Sequence, residues 1–73
     1  MELDEVLDWL RRNGFTVLEV GQVASGPEVL VTTKGFTEEE FLELKRVARC
    51  EVGFWVTPLS RKRVLVRLFF RVL

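Results

Sequence analysis

The sequence predicts an α+β domain of order αββαββ: one mixed or antiparallel sheet of about four strands with two helices packed on it. Three observations carry that expectation. Apolar residues recur at helical spacing in two segments, and a pair of β-rich runs separated by Gly or Pro follows each. The halves also match in character at an offset of 37, setting Leu7 on Leu44, Leu10 on Val47, Phe15 on Val52, Val17 on Phe54, Val29 on Val66 and Val31 on Leu68. Too few of these positions are identical to establish a duplication.

The first helix is expected over about 2–13. Leu3, Val6, Leu7 and Leu10 form its apolar stripe, Glu2, Asp4 and Glu5 suit its N-terminus, Arg11 and Arg12 its C-terminus, and Asn13-Gly14 stops it. FTVLEVGQV, from Phe15 to Val23, reads as a strand, Ala24-Ser25-Gly26-Pro27 as a turn, and EVLVTT as the returning strand of a hairpin. After Gly35, Thr37 and Glu40 form a capping box for a helix over about 38–50, with Phe41, Leu44, Val47 and Ala48 on one face. EVGFWVT is the third strand, Pro58-Leu59-Ser60 a turn, and residues 62–72 the fourth strand. Were the second and third strands neighbours, the helix between them would make a right-handed crossover and the sheet would be mixed. A circularly permuted ferredoxin-like arrangement has the same element order.

Seventy-three residues make a single domain, 1–73, of a size at which one core is marginal and a partner often helps. No apolar run reaches the roughly 18 residues of a membrane helix, and the acidic MELDEVLDWL lacks the basic n-region of a signal peptide. A single cysteine, Cys50, suits a reducing compartment, so a cytoplasmic location is expected. Abundant Val, Leu and Arg with few amides suits a thermophile.

Charge is zero in total but uneven. All eleven acids lie in residues 1–60 with six Lys/Arg, net −5; residues 61–73 hold five Lys/Arg and no acid, net +5. A purely electrostatic nucleic-acid binder would be basic overall. The closing run RKRVLVRLFFRVL, read as a strand, sets Val64, Val66, Leu68, Phe70 and Val72 on one face, expected in the core as far as Phe70. Its other face carries Arg63, Leu65, Arg67, Phe69 and Arg71, which Trp55 could join from the neighbouring strand. Arg and exposed aromatics together can stack bases and hold phosphates, can cover a sheet face, or can form a protein interface. An apolar strand without edge protection aggregates unless paired or covered, which favours a partner.

Catalytic candidates are few. With no His and no Tyr, histidine-based nucleophile systems are excluded, and one Cys cannot supply an ordinary zinc site, so neither a catalytic residue nor a metal or other cofactor is expected. Glu19 and Glu28, on paired strands, could share a face, although strand carboxylates are ordinarily solvated. Pro27-Glu28 with Glu43-Leu44-Lys45 fits the loose Pro-(Asp/Glu) … (Asp/Glu)-x-Lys pattern of divalent-metal nucleases that include archaeal Holliday-junction resolvases. In that class the second part lies on a strand beside the first acid; here it lies in a capped helix, with Glu43 and Lys45 about 200° apart.

The stretch LDWLRRNGFTVLEVGQVASGPEVLVT resembles the start of the catalytic-fold domain of archaeal tRNA-splicing endonucleases, through Leu10, Gly14, Phe15, Val17, Gly21, Gly26, Glu28, Leu30 and Val31. LKRVARCEVGFWVT and RVLVRLFFRV are similar to that family's Arg-x-Ala helix (Arg46, Val47, Ala48) and its closing strands. Members that cleave use Tyr, His and Lys. This chain has neither Tyr nor His, and Cys50-Glu51 stands where the Lys belongs. The resemblance therefore implies a non-catalytic structural subunit that binds a catalytic endonuclease subunit or itself, with pre-tRNA as a further contact and no membrane. It implies a subunit interface at Leu65, Arg67, Phe69, Arg71, Val72 and Leu73. The loop Arg61, Lys62 and Arg63 is basic where the family donates an acidic loop, so it would meet an acidic partner loop or RNA. The alternatives are a stand-alone nucleic-acid-binding module and the divalent-metal nuclease.

Overall fold

A computed structural model describes residues 1–72. The elements follow the expected order: α1 (Leu3–Arg12), β1 (Thr16–Val23), β2 (Gly26–Thr33), α2 (Glu38–Ala48), β3 (Glu51–Pro58) and β4 (Val64–Arg71). The sheet is wholly antiparallel, in the order β1-β2-β4-β3. Thus β2 and β3 are not neighbours, and the mixed-sheet option is not the one adopted. Each αββ unit closes its own hairpin, and the two hairpins join through β2 and β4, the strands that place Val29, Val31, Val66, Leu68 and Phe70 in the core.

α1 ends in a Schellman motif. The Phe15 N–H donates to the Leu10 carbonyl at 2.9 Å and the Gly14 N–H to that of Arg11 at 3.3 Å, with Gly14 at φ 83°. Phe15 and Leu10, the flanking apolar pair, are both buried. α2 starts on the expected capping box, Thr37 Oγ1 accepting from the Glu40 N–H at 3.1 Å and Glu40 Oε1 from the Thr37 N–H at 2.9 Å. It ends at Ala48, earlier than expected, because Arg49 takes the left-handed conformation at φ 58° and turns the chain into β3. β4 likewise begins at Val64: the Arg63 carbonyl accepts the N–H groups of Leu59 and Ser60, holding Arg61–Arg63 in the β3–β4 loop.

Both helices cover one face of the sheet. Val6, Trp9 and Leu10 of α1 and Leu44 and Ala48 of α2 join Phe15, Val29, Val31, Val52, Val66, Leu68 and Phe70 in one buried core. The offset of 37 aligns the strand positions correctly, since Val29, Val31, Val66 and Leu68 are all buried. The helices align at 38 instead, Val6 with Leu44 and Leu10 with Ala48, and Leu7 and Val47 lie only at the core margin. The strands keep phase through shared pairing, whereas each helix rotates to seat its own largest side chains. Trp9 takes one such seat and donates its indole N–H to Glu43 Oε1 at 2.9 Å, tying α1 to α2.

Candidate functional site: the open face of the sheet

The face away from the helices is uncovered. Its residues follow from the registers: Thr32, Leu30 and Glu28 on β2 lie beside Leu65, Arg67 and Phe69 on β4, which lie beside Thr57, Trp55 and Gly53 on β3, with Arg71 opposite Glu51. Leu30, Leu65 and Phe69 are half-buried, and Trp55 is 73% exposed. The expected split of β4 is therefore realised, with Val66, Leu68 and Phe70 inside, Val64 at the core margin, and Leu65, Arg67, Phe69 and Arg71 outside. Trp55 joins that outer face directly across from Arg67.

Three expectations change. β4 is a central strand with both edges paired, so the unprotected-edge reasoning does not apply to it; what it leaves open is a face. Val72 belongs to the opposite parity. It lies past the end of β4, its N–H donating to the Ser25 carbonyl at 3.0 Å, and it does not share the face of Leu65 and Phe69. Leu73 lies outside the described residues. Arg63 is separated from Arg61 and Lys62 by its bond to the Thr32 hydroxyl at 2.9 Å, while those two are exposed.

Electrostatics on the face are more balanced than the sequence of β4 suggests. Arg67 pairs with Glu28, which is largely buried by the contact; Glu51 stands opposite Arg71 in register, but its carboxylate pairs with Lys45 of α2 at 3.6 Å. Glu19 shares the face with Glu28, as expected, beside Leu30 and Arg67. The acid that compensates Arg67 comes from β2, so reading β4 alone exaggerates its positive charge.

The two halves of the nuclease pattern do not meet. Glu28 is on the outer face in its pair with Arg67, whereas Glu43 stands on α2, on the other side of the sheet, accepting from Trp9. Among the described residues no group of three or more His, Cys, Asp or Glu gathers where it could hold a metal. Burial pushes the Cys50 thiol above its ordinary pKa; the Met1 ammonium opposes this and Glu51 adds to it. Among the described residues no helix is long and apolar enough to cross a membrane. Compared with protein-family models, curated proteins and solved structures, the chain finds no match.

One feature of the face was not anticipated from sequence. Gly53 sits opposite Phe69 with no described atom within 4 Å of where a Cβ would stand, and leaves an open hollow of about 460 Å³ bordered by Trp55, Phe69, Arg71 and Glu51. The available signal was the glycine itself, in the middle of a run otherwise rich in β-formers.

Proposed function

We propose that this chain is a non-catalytic subunit of an RNA-processing endonuclease complex, of the tRNA-splicing type its sequence resembles. It docks a catalytic partner subunit on the open face of its sheet, through Leu30, Leu65, Phe69 and Arg67. The observation that most supports docking of protein rather than nucleic acid is charge compensation: Arg67, at the middle of the face, is paired with Glu28. A surface that stacks bases and tracks phosphates needs uncompensated cations. A protein interface instead favours aromatic side chains and Arg with little net charge. The exposed Arg61 and Lys62 at one end of the face supply a contact for an acidic partner loop or for pre-tRNA.

The test is affinity capture from the native source with the wild type and with Phe69→Asp, followed by identification of the bound chain. The expected result is an endonuclease subunit carrying the Tyr, His and Lys that this chain lacks, retained by the wild type and lost with Phe69→Asp while the variant stays folded. Recovery of nucleic acid alone, with an affinity that falls steeply with salt and is indifferent to Phe69→Asp, overturns the proposal.

A further inference from the structure

The two edges of the sheet are built differently. β1 is interrupted by a bulge between Val17 and Glu19 and carries that Glu on the edge, both ordinary devices against edge-to-edge pairing. β3 has no bulge, and its charge, Glu51, and its proline, Pro58, stand only at its ends. Its register with β4 is unbroken between them, and VGFWVT carries no charge. Phe54 and Val56 on the helix side and Trp55 on the open side are all substantially exposed. A strand with a regular, uncharged middle of this composition is a template for another strand.

We propose that β3 pairs antiparallel with β3 of a second copy of this chain, across a two-fold axis at Phe54, making one eight-stranded sheet. Three features favour a second copy as the occupant. In that register Phe54 meets Phe54, Val52 meets the partner's Val56, and Gly53 meets the partner's Trp55, all with matching faces. The Gly53 hollow then receives the partner's Trp55 ring, an aromatic side chain covering an edge glycine. Antiparallel pairing also brings Glu51 of each copy, exposed although within 3.6 Å of Lys45 Nζ, towards the far end of the partner's β3, where the basic Arg61-Lys62 loop follows. With a net charge of zero, the copies do not repel. The pairing leaves Leu30 and Leu65 free; of the docking residues it reaches only Phe69, at the border of the hollow.

Sedimentation equilibrium and tryptophan emission across a concentration series test this. The wild type should pass from 8.5 kDa to twice that mass, with an emission blue shift as Trp55 is covered and added hydrogen-exchange protection in β3 but not in β1. Gly53→Val puts its Cβ where no described atom lies within 4 Å and narrows the hollow, so it should weaken the dimer about tenfold or more while the monomer melts no lower than the wild type. Trp55→Lys, at an exposed site, should do the same, and Leu30→Asp, two strands away, should leave the dimer intact. A wild type that stays monomeric at its highest soluble concentration overturns the proposal, as does a dimer that survives both Gly53→Val and Trp55→Lys.

Discussion

Gly26→Ala is expected to be among the most damaging single-methyl changes this chain can undergo. Gly26 opens β2 at φ 149°, a conformation L-residues rarely adopt, and a Cβ there would overlap the Phe70 carbonyl oxygen, with the Phe70 carbonyl carbon at 3.3 Å and Val72 Cγ2 at 3.0 Å. The obstruction is mainly backbone and cannot rotate away. Backbone strain of this kind costs about 1–3 kcal/mol, and forcing β4 aside to relieve the overlap costs about a further 1–3 kcal/mol. A sum of about 2–6 kcal/mol stands against a total stability of roughly 4–11 kcal/mol for a domain of this length. At about 4–8 °C per kcal/mol, melting should fall by at least roughly 10 °C. Urea unfolding followed by far-ultraviolet circular dichroism measures the loss, with Gly53→Ala as control, since nothing described obstructs that position and its φ is ordinary. If Gly26→Ala lies within about 0.5 kcal/mol of the wild type, the close approach of the β1–β2 turn to the end of β4 is wrong, and so is the alignment that sets Glu28 beside Phe69.

Two further expectations concern the helix layer and the cysteine. A double-mutant cycle with Trp9→Phe and Glu43→Ala should give a coupling of about 1–2 kcal/mol, the worth of a hydrogen bond to a charged acceptor at a partly buried site; additive effects would show that the indole does not tie α1 to α2. Because the folded Cys50 thiol titrates above its unfolded value, the folded state holds the proton longer. Its contribution to stability is full below the ordinary thiol pKa of about 8.5 and is lost as pH rises through the folded value. Cys50→Ser should flatten that alkaline decline, and an unchanged pH profile would remove the effect.

Periodicity, capping chemistry and breakers are local, so the sequence alone determined the six elements and their order, the capping box at Thr37, the stop at Asn13-Gly14, and the alternation that sends Val66, Leu68 and Phe70 inward and Leu65, Arg67 and Phe69 outward. Strand order, the compensation of Arg67 by Glu28, the separation of Glu28 from Glu43 and the hollow over Gly53 were decided only by tertiary structure. The physical reason is range. Each depends on which strand lies beside which, a property of the whole sheet that the composition of single strands does not set: β2, with three apolar residues, is central, while β1 and β3, with four each, lie at the edges. β4 looked like an exposed basic edge because its neighbours in space, which supply Glu28 and occupy both its edges, are not evident from its own sequence.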